Sequence, residues 1–331
     1  MTAHAKLAMC FSDIEAAAAR LKGHAVRTPL QPNAALDERT QGRILIKPEM
    51  LQVSGSFKFR GAFNRIVQIP EADRARGVVA WSSGNHAQGV AASAARLGIP
   101  ATIIMPKDAP ALKIANTRGY GAEVRLYDRY LEDRDAIGLA IAAETGAVVV
   151  PPFDDPDVMA GQGTVGLEMA QDAKAMGLVF DDVLVCCAGG GLSSGVATAI
   201  KTFMPEARIW TVEPLGFEDT ARSLEGGTPV TNSPSSRSIC DALQSPTPGK
   251  LTFPILQRLG AGGLVVSDEE ALDAMAYSFR NLKLVVEPGG AVALAAVLSG
   301  KLAVEGRTVG VVMSGGNVDR AMYERALARL D

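Results

Sequence analysis

A lysine set between two phenylalanines, in Ser54-Gly55-Ser56-Phe57-Lys58-Phe59-Arg60-Gly61-Ala62, is poorly placed for a solvated surface charge. Apolar neighbours desolvate an amine and lower its pKa, and a neutral amine attacks a carbonyl carbon to form a Schiff base. Most lysines are simply surface charges, so Lys58 has to be weighed with three glycine-rich turns further along. Ala188-Gly189-Gly190-Gly191-Leu192-Ser193-Ser194-Gly195 follows an apolar run and precedes an amphipathic one. Such a loop at a helix N-terminus offers backbone N–H groups and the positive end of the dipole to a phosphate. The bland reading is a tight strand-to-helix turn. The dinucleotide spacing GxGxxG fails, because Ser194 stands where the third glycine belongs, and no Gly-Lys-Ser/Thr makes a P-loop.

The second turn is Trp81-Ser82-Ser83-Gly84-Asn85-His86, whose backbone amides suit a carboxylate. Ser83 and Asn85 add a hydroxyl and an amide. His86 reads best as a packed residue at a helix start. The third turn is Val311-Val312-Met313-Ser314-Gly315-Gly316-Asn317. Three such turns at the carboxyl ends of strands converge on one crevice in an open α/β sheet.

Short apolar runs alternating with amphipathic stretches argue for an α/β protein with largely parallel sheets. Ser12 is placed to cap a first helix, with Glu15 completing a capping box. Strands are expected at 44–46, 78–81, 101–105 and 123–127, with helices at 86–97, 109–118 and 131–144. Pro151-Pro152 and the acidic turn 153–157 mark a boundary. Beyond it the pattern predicts helix 163–173, strand 183–187, helix 193–203 and strand 209–212. Helices 269–282 and 290–298, strand 309–313 and helix 319–330 complete the series. Residues 226–250, rich in Gly, Pro, Ser and Thr, read as a long loop, a kind that is usually functional or mobile.

The 331 residues suffice for one large or two ordinary domains. With 47% hydrophobic and 21% charged residues and a net charge of -3, the chain reads as a soluble globular protein. No basic run interleaved with aromatics points to nucleic acid. No stretch of Met1–Met9 reads as a signal peptide, and no run is long enough to span a membrane. Cys10, Cys186, Cys187 and Cys240 form no CxxC pair or zinc spacing, which fits a reducing, cytoplasmic setting. His4, His24 and His86 are too scattered for a histidine metal site.

Five segments then occur in order: 56–62, Ser82-Ser83-Gly84-Asn85-His86-Ala87-Gln88-Gly89, Ala160-Gly161-Gln162-Gly163-Thr164, the triple glycine, and Ser314-Gly315-Gly316-Asn317. Across almost the whole chain this resembles the fold-type II pyridoxal phosphate enzymes, within them the serine/threonine dehydratase and serine racemase group. The resemblance implies a tryptophan synthase β-like α/β fold of two open, twisted, mostly parallel sheets flanked by helices. Residues 1–52 and 150–331 would form the large cofactor-binding domain and 53–149 a small mobile one. Lys58 would be the Schiff-base lysine, Phe57 would pack on the pyridine ring, and Asn85 would bond the ring hydroxyl. Gly189, Gly190, Gly191 and Leu192 would hold the phosphate, and Ser314 would face the ring nitrogen without holding it protonated. Ser83 matches the acid/base of the racemases, and Ser82, Ser83, Gly84, Asn85 and His86 would receive the substrate.

Glu213-Pro214-Leu215-Gly216-Phe217-Glu218-Asp219 is similar to the group's cation loop, in which Glu213, the Phe217 carbonyl and Asp219 would bind Mg²⁺ or Ca²⁺. Without the resemblance it is a solvated acidic turn. Arg134 matches an arginine of serine racemases and hydroxyaspartate dehydratases. A guanidinium there favours a substrate with a second carboxylate, the competing reading being a surface pair with Glu132 or Asp135. Ala188, Pro151, Gly289 and Ala242 depart from the group's usual residues, the last two near the active-site rim.

The expected reaction is elimination from a 3-hydroxy amino acid to a keto acid and ammonia, 3-hydroxyaspartate to oxaloacetate first. Threonine/serine dehydration and serine racemisation are the alternatives, and the group suggests a homodimer. From other classes, a nicotinamide-dependent oxidoreductase meets the wrong glycine spacing, and a non-catalytic binding protein has no use for Lys58.

Overall fold

The computed structural model describes residues 7–330, so His4 and most of the Met1–Met9 segment lie outside the described residues. Among them are ten strands: β1 (Gln31–Pro32), β2 (Arg43–Pro48), β3 (Val78–Trp81), β4 (Ala101–Pro106), β5 (Glu123–Tyr127), β6 (Val148–Val149), β7 (Asp182–Cys186), β8 (Arg208–Pro214), β9 (Gly262–Val266) and β10 (Thr308–Met313). They form a six-stranded sheet of order β1-β2-β10-β7-β8-β9 and a four-stranded sheet of order β5-β4-β3-β6. β1 pairs antiparallel with β2, and all other pairs are parallel.

Parallel strands buried on both faces need apolar residues on both faces. Leu184, Val185, Val309, Val311 and Val312 meet that need and are no more than 1% exposed. Helices cover both sheets, and each sheet has its own apolar core, around Val183, Ile209 and Leu294 in one and around Val78, Ile103 and Val90 in the other.

The connectivity positions the site. From β3 the chain runs outward through β4 and β5, then returns to β6 on the other side of β3. From β7 it runs outward through β8 and β9, then returns to β10 on the other side of β7. Each sheet therefore has a point where strand order reverses, and crevices open at the carboxyl ends of strands at such points. The Ser82–His86 turn and Pro151–Asp155 lie at the first, and the triple glycine and Ser314–Asn317 at the second.

Several elements differ from the expected ones. Cys10, not Ser12, caps the first helix, Phe11–Leu21, and Asp13 rather than Glu15 closes the box, accepting from Cys10 N at 2.8 Å. The helix expected at 163–173 starts earlier and spans Pro156–Ala175, capped by Asp155, which accepts from Val158 N at 2.9 Å. Helices Ala34–Thr40 and Thr252–Arg258 and strand β9 carry no expectation from the sequence pattern. Cys186 and Cys187 are buried core thiols, as expected.

Candidate active site

Lys58 is the first residue of the Lys58–Ile66 helix. A cation at a helix N-terminus faces the positive end of the dipole. Its Nζ donates to Pro152 O at 2.7 Å and lies 5.2 Å from the centroid of the Phe57 ring. Desolvation pulls the amine down to about 8. Two backbone links place it: Phe57 N donates to Ser314 O at 3.1 Å, and Ser56 bridges antiparallel to Gly315. The lysine is thus fixed to the end of β10 on one side and to the segment after β6 on the other.

Behind it, Arg60 is fully buried. Its guanidinium donates to both Glu49 oxygens at 2.8 Å and to Glu168 at 2.7 and 2.9 Å, while Lys47 Nζ donates to Glu168 at 2.6 Å. Two cations and two carboxylates balance, which is the condition for burying charge. The Lys58–Ile66 and Pro156–Ala175 helices touch through glycines. A Cβ on Gly61 would lie 2.7 Å from Val158 O, and one on Gly161 2.5 Å from Arg60 O.

The Gly191–Phe203 helix begins at the triple glycine with no side chain capping it. Gly190 takes φ +88°, a conformation in which glycine is favoured. Thr252 Oγ1 donates to Gly189 O at 2.6 Å, and Phe153 packs so closely on Gly189 that a Cβ there would meet its ring at 2.4 Å. The Asn85–Leu97 helix likewise starts without a side-chain cap. Both N-termini open into one crevice, lined by Phe57, Lys58, Ser82, Ser83, Gly84, Asn85, His86, Arg134, Gly189, Gly190, Gly191, Leu192 and Ser314. Every cofactor and substrate residue expected from the sequence is on its wall.

Their surroundings differ. Asn85 is anchored on both sides, its Nδ2 donating to Glu287 Oε1 and its Oδ1 accepting from Asn317 Nδ2 at 2.8 Å, which leaves the second Nδ2 hydrogen for a ligand. His86 is buried with Nε2 2.8 Å from Val150 O. Burial, with the nearby Lys58 amine, pulls it down to about 3, so it stays neutral. This is the packed helix-start residue of the bland reading. Ser314 bonds the Cys186 thiol, which burial pushes up to about 11. Arg134 starts the Arg134–Thr145 helix with its side chain half exposed, and reaches Asp135 at a loose 3.6 Å.

Sequence reasoning missed a cluster on the same wall. Lys113 Nζ lies 2.6 Å from Asp241 Oδ2 and 3.7 Å from Glu287 Oε2. Burial pushes Glu287 up to about 7 against the opposing Lys113 charge. Asp241 and Glu287 sat inside segments that stood out only for their neighbours, and nothing about Lys113 separates it from a surface lysine of an amphipathic helix.

At the expected cation loop, Glu213 and Asp219 are buried carboxylates. Glu213 accepts from Thr220 N at 3.0 Å and Ala221 N at 2.7 Å; burial and the Asp219 charge raise it to about 8. Asp219 Oδ1 accepts from Asn232, and its Oδ2 is buried without a hydrogen-bond partner. Among the described residues no three His, Cys, Asp or Glu side chains gather as a metal site, and the third expected ligand, Phe217, offers only its carbonyl.

The donor set fits a phosphorylated aldehyde. An amine of lowered pKa suits the carbonyl, an uncapped helix N-terminus suits the phosphate, and an aromatic ring with a hydroxyl and an amide suits a heteroaromatic ring.

Comparison with known proteins agrees. Residues 21–315 match the family described as pyridoxal-phosphate dependent enzyme. The chain is 43% identical over 317 residues to an L-threo-3-hydroxyaspartate ammonia-lyase from Pseudomonas sp, covering 96% of this chain and 98% of the relative. It is 39% identical over 327 residues to the catabolic L-threonine dehydratase of Escherichia coli, covering 98% of each. The solved structure of maize serine racemase superposes with a TM-score of 0.90 at 36% identity, covering 98% of each chain.

Proposed function

Because this chain belongs to the pyridoxal-phosphate dependent enzymes, we propose that it is an ammonia-lyase acting on a 3-hydroxy amino acid, with 3-hydroxyaspartate the favoured substrate and oxaloacetate and ammonia the products. The observation that carries the reading is the Lys58 amine, lining a crevice where two uncapped helix N-termini meet, with its pKa drawn down to about 8. The bound cofactor supplies a sink for the negative charge left when the α-proton departs.

This chain's residues do the rest. Gly189, Gly190, Gly191 and Leu192 hold the phosphate, Phe57 packs on the ring, Asn85 bonds its hydroxyl, and Ser314 meets its nitrogen with a neutral hydroxyl. Ser82, Ser83, Gly84 and Asn85 receive the α-carboxylate at the second N-terminus, with His86 packing the turn from behind. The Lys58 amine removes the α-proton, and Ser83 offers a second proton-transfer group. Residues 53–149, built around the four-stranded sheet, act as the small domain that closes on the rest and excludes water. Glu213, the Phe217 carbonyl and Asp219 hold Mg²⁺ or Ca²⁺, a reading supported by the two buried carboxylates and the unpartnered Asp219 Oδ2. The working enzyme is taken to be a cytoplasmic homodimer. Among the described residues no helix is long and apolar enough to cross a membrane.

Arg134 supports the dicarboxylate substrate. Its fork opens on the crevice, and its contact to Asp135 is too long and exposed to hold it. The test compares kcat/KM for the hydroxyaspartate diastereomers, threonine and serine. Arg134→Ala should lose hydroxyaspartate selectively, by about 2–4 kcal/mol of transition-state binding. Equal loss on all substrates, or threonine as the best substrate of the wild type, would return the enzyme to threonine/serine dehydration. Racemisation of serine is the other reading, favoured by Ser83 on the crevice wall.

A further inference from the structure

Lys113 belongs to the Ala111–Gly119 helix, which packs on the four-stranded sheet, yet both of its carboxylate partners belong to the other half of the molecule. Asp241 sits in the long 226–250 loop, and Glu287 caps the Pro288–Leu298 helix. The ammonium is buried, with the residue 4% exposed. It is also wedged against the substrate turn. A Cβ on Gly84 would lie 3.0 Å from Lys113 Cδ and 3.2 Å from its Nζ. Glu287 passes the contact on, since its Oε1 accepts from Asn85 Nδ2, and Asn85 accepts from Asn317, which also donates to Ser54 O at 2.8 Å. One cation thus joins Gly84 and Asn85 to the strand end that carries Ser314.

We propose that Lys113 is a positioning residue for the reaction: hydrogen-bonded to Asp241 and facing the buried Glu287 carboxylate, whose Oε2 has no hydrogen-bond partner, it locks the Gly84–Asn85 turn to the large sheet and so sets how tightly the amino acid is held. The proposal rests on the reading of this crevice as the active site. Two features separate it from an ordinary stabilising pair. A buried cation shared by two carboxylates is costly to remove, whereas an exposed pair is not. And each group it touches lines the crevice or bonds a residue that does. Part of that cost is offset, because Asp241 is 40% exposed in its side chain and can hydrate, and Glu287 can take up a proton.

The experiment uses the cofactor-loaded protein and the variants Lys113→Met, Lys113→Arg, Asp241→Asn and the Lys113→Met/Asp241→Asn pair. Without the lock the competent arrangement is populated less, and apparent affinity falls by that fraction. Lys113→Met should raise KM about tenfold or more for hydroxyaspartate, threonine and serine alike, with kcat changed by less than about threefold. Lys113→Arg should recover most of the loss, and the double variant should be no worse than Lys113→Met, because both remove one interaction. In the protein without substrate, amide exchange should quicken at residues 83–86 and 111–119. An unchanged KM overturns the proposal. So does a lower melting temperature with unchanged exchange at the turn, which marks a structural pair only. Loss confined to hydroxyaspartate also overturns it, since Lys113 would then bind the distal carboxylate itself. The cofactor's absorption band, fixed to Lys58 by borohydride, tests the active-site reading separately: its absence from the wild type would sink that reading, while the exchange data would still judge the lock.

Discussion

At Lys58, opposing influences meet, and desolvation wins. Burial and the first position of a helix disfavour the ammonium, while the hydrogen bond to Pro152 O and the face of the Phe57 ring are its remaining supports. Lys58→Ala should therefore abolish turnover and borohydride fixation while the cofactor still binds through the glycine loop. Near-wild-type turnover without added amine would refute the assigned role. The lowered pKa makes a second prediction. The neutral amine is the nucleophile, and its fraction grows as pH rises through about 8 instead of 10.5. Capture of the cofactor by the cofactor-free protein should accelerate with pH and level off above about 8. A rate still climbing towards 10.5 would mean an ordinary lysine. Ser83 is tested by stereochemistry. Ser83→Ala should suppress racemisation, or reaction of one enantiomer, more than elimination from the Lys58 side; equal losses would make it a structural residue.

At the scale of elements, glycine explains both what was legible in the chain and what was not. Strands β3 and β5 lie where the pattern places them, because β3 is an apolar run bounded by turns and β5, Glu-Val-Arg-Leu-Tyr, alternates polar and apolar residues. The start of the Pro156–Ala175 helix was hidden, because the Pro-Asp-rich turn before it reads as loop and Gly161, followed by Gly163, costs a helix about 1 kcal/mol relative to alanine. The compensation for Gly161, Gly163 and Gly166 is tertiary. They let this helix approach the Lys58–Ile66 and Gly191–Phe203 helices to backbone contact, which no single-segment pattern reveals. β9 was lost for the same reason, its Gly262 and Gly263 being packed against Trp210 and Ala221. The site's walls were legible, since each turn carries its own chemistry. The Lys113, Asp241 and Glu287 cluster was not, because its three members meet only when two sheets pack together. Gly161→Ala tests the packing argument. Its Cβ would meet Arg60 O at 2.5 Å, so it should destabilise by about 1–3 kcal/mol through overpacking, read as a lower denaturant midpoint. A neutral or stabilising effect, as helix propensity alone requires, would show that the two helices can move apart freely.

For the whole molecule, the question is how the six-stranded half would keep its glycine loop rigid under the proposed closure of the other half. The expected cation site is joined to that loop through few bonds. Glu213, at the end of β8, accepts from Thr220 N, and Thr220 Oγ1 donates to Ala188 O at 3.4 Å, one residue before Gly189. Cys187 Sγ reaches the same hydroxyl at 3.5 Å. A divalent cation on Glu213, Phe217 O and Asp219 would neutralise two buried carboxylates and fasten the start of the Asp219–Gly226 helix against the loop. Binding to the native state alone stabilises by mass action, about 2.7 kcal/mol at a hundred times Kd. In a chain of 331 residues that is a rise in Tm of about 4 °C, at about 1.4 °C per kcal/mol. Chelation should lower Tm by that amount and speed loss of the cofactor, since the phosphate loop leans on the same residues. Mg²⁺ or Ca²⁺ should reverse both effects in the wild type and neither in Asp219→Ala. An unchanged Tm and cofactor release rate with and without chelator would reduce Glu213 and Asp219 to a buried acidic pair that stays partly protonated, and would leave the rigidity of the loop to Thr252 and Phe153.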